Sequence, residues 1–212
     1  MPTILCFGDS NTWGFVPGTG ERFAPDVRWP GVLGRELGAD ARVVEEGLSG
    51  RTAAVVDLVW PHLTALPYLL PALESHAPLD AIVFMLGTND VQDRYTRSAG
   101  AVASDVLGLA EIAARSGCGA RGDAPYVLLV APPPIASLPD PLWAAEYGTG
   151  VEKSRELPRL LEAAAASGAF GFVDAGRVTR FSEDGIHLDA AGHAALGAAV
   201  ADALRTVLAE SG

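Results

Sequence analysis

Four short segments of this chain carry the residue types of nucleophilic ester chemistry. Gly8-Asp9-Ser10-Asn11 places a serine where an apolar run stops at a glycine. A neutral hydroxyl is a poor nucleophile and needs an adjacent base. Asp184-Gly185-Ile186-His187-Leu188-Asp189 offers one in His187, because an imidazole, with an ordinary pKa of about 6.5, suits proton transfer near neutrality. Asp184 stands three positions before His187. In a turn its carboxylate would lie beside the ring, orienting it and stabilising the imidazolium. A tetrahedral oxyanion needs hydrogen-bond donors. Asn89, in Gly87-Thr88-Asn89-Asp90, offers a side-chain amide, and Gly50, in Gly47-Leu48-Ser49-Gly50-Arg51-Thr52, an unobstructed backbone N–H. The Ser10 N–H is a third donor.

These segments must be held together, and the pattern around them shows how. Apolar runs at Thr3–Phe7, Ala41–Glu45, Ala81–Leu86, Tyr126–Ala131 and Phe170–Val173 read as strands. Their near-continuous apolar character suits a parallel sheet buried on both faces. Helical segments alternate with them at Pro30–Leu37, Tyr68–Ser75, Ala99–Arg115 and Val151–Ser167, and a last one at Asp189–Leu208 has Asp189 as its N-cap. The alternation predicts a three-layer α/β/α sandwich formed by a single domain over residues 1–212. Open sheets of this kind bind ligands at the carboxyl ends of their strands. Ser10, Gly50 and Asn89 follow three of those ends. Pro132–Pro141 reads as a rigid surface loop.

Composition narrows the class. Hydrophobic residues make up 49% and charged residues 19%, which excludes disorder. The net charge of −11 argues against a nucleic-acid partner. No run approaches a membrane span of about 20 apolar residues, and Met1–Phe7 lacks the basic start of a secretory signal. A cytoplasmic location is therefore expected. Two cysteines, Cys6 and Cys118, are too few for a disulfide scaffold. Gly117-Cys118-Gly119-Ala120-Arg121-Gly122 matches a dinucleotide fingerprint, yet it follows a helix and precedes a strand, the reverse of what that site requires. His62, His76 and His193 stand singly, so no metal and no cofactor are expected.

Taken together and in order, GDSN, the Gly47–Thr52 segment, GTND and DGIHLD resemble the SGNH hydrolases, also called the GDSL esterases and lipases. ILCFGDS (residues 4–10), ERFAPDVRW (21–29), EEGLS (45–49) and MLGTND (85–90) are similar to the bacterial arylesterase and acyltransferase branch. The resemblance implies a flavodoxin-like five-stranded sheet of order 2-1-3-4-5 and a Ser10-His187-Asp184 triad. It also implies an oxyanion hole of Ser10, Gly50 and Asn89, with Gly50 preferred to Gly47 because Ser49-Gly50 matches the family's second block. The activity implied is hydrolysis of short acyl or aryl esters, with acyl transfer to alcohols or peroxide. The partner is then a small-molecule ester. Relatives in that branch form higher oligomers whose neighbouring subunits shape the entrance, which admits a homo-oligomer here.

Other readings stand beside this one. Asp9-Ser10 alone reads as a helix cap, Asn89-Asp90 as a turn pair, and His187 as a surface residue. Trp13, Phe15 and Trp143 are candidates to line the substrate pocket, with ordinary packing the alternative for the first two and a lid or subunit contact for Trp143. Arg28 and Arg51 read as structural partners of acidic residues. A carbohydrate deacetylase or a lysophospholipase would use the same triad. A non-catalytic phosphate or flavin binder would keep GDSN but leave Asn89 and the Asp-x-x-His pair without a role.

Overall fold

The five apolar runs form one parallel sheet in the computed structural model, which describes residues 1–39, 41–120 and 122–210. The strands are β1 (Thr3–Gly8), β2 (Arg42–Gly47), β3 (Ala81–Met85), β4 (Tyr126–Ala131) and β5 (Gly171–Asp174), in the order β2-β1-β3-β4-β5. All neighbouring pairs are parallel, with Gly8 level with Gly47 and with Met85. Strands β1 and β3 are buried along their whole length, whereas β2 and β5 at the edges are half-buried. This is the distribution that a sheet covered on both faces imposes.

The helices sort into two layers. Helix α2 (Trp29–Leu37) packs on α7 (Ala190–Glu210) across one face. Helices α3 (Leu66–His76), α4 (Ala99–Ala114) and α6 (Gly150–Gly168) cover the other. The sequence predicts all five within a few residues. Asp189 caps α7 by accepting from the Gly192 N–H at 2.7 Å, and Leu196, Val200 and Leu204 are fully buried on its inner face. Two short helices go beyond the sequence reading: α1 (Ser10–Trp13) and α5 (Pro141–Tyr147). The segment Gly117–Gly122 joins α4 to β4; Arg121 within it lies outside the described residues. Among the described residues no helix is long and apolar enough to cross a membrane.

The acidic pair in β2 shows how an edge strand carries charge. Successive side chains point to opposite faces. Glu45 meets Arg28 at 2.7 Å and Arg22 at 3.3 Å on one side, and Glu46 meets His76 at 2.9 Å and the Tyr68 hydroxyl at 3.1 Å on the other. Arg28 thus has the carboxylate partner expected of it. Arg51 donates instead to the backbone carbonyls of Gly8 and Glu46, and its guanidinium lies over the Phe7 ring. Its role is structural, but its partners are main-chain oxygens rather than an acid.

His193 joins the two helices of one layer. Its buried Nδ1 accepts from the Trp29 N–H at 3.2 Å, satisfying a donor at the start of α2. Burial, assisted by Arg28 and His187, lowers its pKa to about 4. The unfolded chain therefore takes up a proton near pH 6.5 while the folded protein resists until about pH 4. Replacing His193 with Leu should cost about 1–3 kcal/mol at pH 7 by orphaning the Trp29 N–H. Thermal unfolding followed from pH 7 to pH 4 should show that difference shrinking, because only the wild type loses the His193 contribution through this window, while the other titrating groups are common to both proteins.

Candidate active site

Strand β1 stops at Gly8 because the chain must turn at once into α1. A Cβ on Gly8 would fall 2.1 Å from Thr12 Oγ1 and 2.8 Å from the Met85 carbonyl oxygen. Asp9 then caps α1, its Oδ1 accepting from the Asn11 N–H at 2.9 Å. Ser10 is the first residue of α1 and follows the carboxyl end of β1, which lies between β2 and β3.

His187 arrives from the far end of the sheet. After β5 the chain crosses the sheet top to residues 184–189. There His187 Nε2 lies 3.0 Å from Ser10 Oγ, and Nδ1 lies 2.8 Å from Asp184 Oδ2. Asp184 Oδ1 accepts from the Ser182 hydroxyl at 3.3 Å and from the N–H groups of Ile186 and His187 at 2.9 and 2.8 Å. Burial alone would raise the Asp184 carboxyl. The hydrogen bonds from the imidazole and the two backbone N–H groups outweigh it and hold the carboxyl below its usual range.

The clamp on this loop is Asn11. Its Nδ2 donates to the Ile186 carbonyl at 3.1 Å and its Oδ1 accepts from the Leu188 N–H at 2.9 Å. The amide therefore grips the backbone on both sides of His187. In the sequence the only signal for this role is an amide residue type directly after Ser10. The Pro132–Pro141 loop supports the same turn, through the Ala136 N–H donated to the Gly185 carbonyl at 3.0 Å.

Asn89 reaches the site from the end of β3. Its Nδ2 donates to the Arg51 carbonyl at 3.1 Å and approaches Asp9 Oδ2 at 3.4 Å, while the Tyr147 hydroxyl lies 3.5 Å from its Oδ1. Gly50 lies in a turn at φ +82°, which favours glycine, and lines the same cavity. Gly47 does not line it. It ends β2, where a Cβ would come within 2.2 Å of the Trp13 nitrogen.

Ser10, Gly50, Asn89 and His187 thus converge on a cavity of about 180 Å³. Phe15 and Trp143 wall it. Phe15 stacks on the His187 ring at 4.1 Å, and Trp143 meets that ring edge-on at 5.5 Å. Trp13 is not on this wall: its ring lies under the Arg22 guanidinium, and Arg22 also donates to its carbonyl. Helix α5 brings Trp143, Glu146 and Tyr147 to the cavity. Asp93 fastens the end of α5 by accepting from the Thr149 N–H, the Thr149 hydroxyl and Lys153 Nζ. Cys6 is buried in β1, and burial pushes its thiol well up, out of reactive range. Among the described residues no group of His, Cys, Asp and Glu could hold a metal ion.

Ser10, His187 and Asp184 thus stand in a hydrogen-bonded series beside a small cavity that Gly50 and Asn89 also line. The model of the GDSL-like lipase/acylhydrolase family matches residues 6–195, and the chain belongs to that family. It is a carboxylic ester hydrolase. The aryl esterase of M. smegmatis is 42% identical, with a TM-score of 0.94 over 98% of this chain and 100% of that one. Est24, a carbohydrate acetylesterase from Sinorhizobium meliloti, is 38% identical with the same TM-score and the same coverage. No curated protein matches.

Asn11→Ala should separate the clamp from the chemistry it positions. It leaves the Ile186 carbonyl and the Leu188 N–H without their partner, at a cost of about 1–3 kcal/mol in thermal stability. It also frees His187 to drift, and displacement of such a group by about 1 Å can cost on the order of 100-fold in rate. We expect fluorophosphonate labelling of the folded variant to slow by tenfold or more. A variant that lost only stability would label at the wild-type rate.

Proposed function

We propose that this enzyme is a serine esterase of short acyl esters, with Ser10 as nucleophile, His187 as base and then acid, and Asp184 as the group that orients it. The observation that carries the reading is the unbroken series Ser10 Oγ, His187 Nε2 and Nδ1, Asp184 Oδ2, at 3.0 and 2.8 Å, opening on the cavity. Ser10 Oγ attacks the ester carbon and gives its proton to His187 Nε2. The carbonyl π pair moves to oxygen, where the N–H groups of Ser10 and Gly50 and the Asn89 amide stabilise the charge. Collapse breaks the bond to the alcohol oxygen, which takes the proton from Nε2. Water then repeats the sequence and releases the acid. The cavity of about 180 Å³ has room for a short acyl group.

Ser10→Ala should abolish hydrolysis of p-nitrophenyl acetate while leaving thermal unfolding unchanged. Intact mass after fluorophosphonate treatment should place one adduct on Ser10 in the wild type. An adduct on Ser49, the other serine residue at the cavity, would overturn the assignment.

Acyl transfer to alcohols is the second part of the proposal. Water and alcohol compete for the acyl-enzyme, and apolar walls that exclude water favour the alcohol. Phe15 and Trp143 supply such walls beside His187. With vinyl acetate and about 0.1 M benzyl alcohol, we expect about one fifth or more of the turnovers to yield benzyl acetate, well above a mass-action share. A share of a few per cent, measured by product chromatography, would mean that the walls shape the substrate but do not exclude water.

A further inference from the structure

A second, wider cavity of about 400 Å³ adjoins the first, and Phe15 and Trp143 belong to the walls of both. Its remaining lining is Gly18, Thr19, Gly20, Asp140 and Asp184. No lysine or arginine lines either cavity among the described residues, while Glu146 adds a carboxylate to the smaller one. We propose that the wider cavity is the subsite for the alcohol part of the ester, and that the Asp140 carboxylate on its wall selects neutral and cationic alcohols against anionic ones. The inference rests on the esterase reading above.

The direction of proton transfer places the alcohol. When the tetrahedral intermediate collapses, the carbon–oxygen bond breaks, the electron pair goes to the alcohol oxygen, and that oxygen receives the Nε2 proton. The leaving oxygen must therefore face His187. The groups flanking the His187 ring are Phe15, stacked at 4.1 Å, and Trp143, edge-on at 5.5 Å. These two side chains lead from the small cavity into the wide one. The size difference agrees: a short acyl group fits the small cavity, and a ring-sized alcohol fits the wide one between aromatic walls.

The charge on that wall is set by Asp140. Asp184 spends its charge on His187 and on the backbone N–H groups around it. Asp140 is exposed; its Oδ1 caps α5 by accepting from the Leu142 N–H at 2.8 Å, and its charge faces the cavity without a cation on the lining. An anionic alcohol there meets repulsion that a neutral one does not.

The test compares acetates of phenol, of 4-(trimethylammonio)phenol and of 4-hydroxybenzoate, with wild type and Asp140→Asn at low ionic strength. Asn keeps a capping oxygen for α5, and Asp140→Ser provides a second neutral cap. The ratio of variant to wild-type kcat/KM for each ester cancels its intrinsic reactivity. We expect that ratio to be about three- to tenfold above one for the anionic alcohol, below one by a similar factor for the cationic one, and within about twofold of one for phenyl acetate. Ratios within twofold for all three esters would overturn the inference. So would a ratio that follows charge on the acyl side, read with phenyl hydrogen succinate, because the wide cavity would then hold the acyl chain. A wild type inactive on phenyl acetate would overturn the esterase reading itself, and this inference with it.

Discussion

The grip of Asn11 on residues 186–188 is the interaction on which the site depends. Ser10 and His187 lie 177 positions apart in sequence, and nothing in the sheet itself joins them. The loop after β5 carries His187 past the ends of two intervening strands. Such a segment is costly to order unless its backbone groups find partners. Asn11 offers one amide donor and one amide acceptor, and so completes the Ile186 carbonyl and the Leu188 N–H as a neighbouring strand would. It is fixed in turn by the Asp9 cap on its own N–H. Ser10 and His187 are thus positioned from adjacent residues of one short helix, which follows directly on a fully buried strand.

Two buried carboxylates, Asp9 and Asp90, and the half-buried Asp184 lie near the site of a chain with a net charge of −11, and their ionisation follows the number of donors each receives. Asp184 collects four, the imidazole among them, and stays below the usual range. Asp9 has the Asn11 N–H and a long approach from Asn89; burial prevails over these, and its pKa rises to about 6. Asp90 has the Ala53 N–H on Oδ1 and no partner on Oδ2; burial, reinforced by Asp105 and Asp9, lifts it to about 7. Desolvation raises all three, and the supply of donors decides whether that rise prevails, as in Asp9 and Asp90, or is outweighed, as in Asp184. The Asp184 carboxylate sits beside the His187 ring, whereas Asp9 lies nearer the Asn89 amide.

Much of this was legible in the sequence, for identifiable reasons. The five strands are near-continuous apolar runs that end in glycine, proline or aspartate, so their existence and the placement of Ser10, Gly50 and Asn89 at strand ends followed from the pattern. Asp184 and His187 were legible through their spacing. The two short helices were not: α1 has four residues and α5 seven, too few to show a helical period. Reading Pro132–Pro141 as a loop captured residues 132–139 but concealed that the chain then turns helical and delivers Trp143, Glu146 and Tyr147. Proximity to Ser10 groups Trp13 with Phe15, yet Phe15 turns toward His187 while Trp13 lies against Arg22. Asn11 escaped notice because its partners are backbone groups of a distant loop, and no local pattern encodes them.

The two walls of the site are held in different ways. Phe15 follows α1, its N–H bonded to the Ser10 carbonyl, and stacks on His187, which is itself held by the Asn11 clamp and Asp184. Helix α5, which presents Trp143, Glu146 and Tyr147, is fixed instead by the Asp140 cap at its start and by Asp93 at its end. Asp93 belongs to the segment after β3, and three hydrogen bonds with Thr149 and Lys153 hold its carboxyl below the usual range. The link between the two systems is thin: the Tyr147 hydroxyl, held by Gln92 at 3.2 Å, approaches Asn89 at 3.5 Å, and Trp143 touches the His187 ring by its edge. Substitutions on α5 can therefore reshape which esters enter without moving Ser10, His187 or Asp184, because no hydrogen bond of the triad runs through that helix. Helix α5 thus shapes the entrance through Trp143, Glu146 and Tyr147 while its own anchors, Asp140 and Asp93, lie outside the Ser10–His187–Asp184 series.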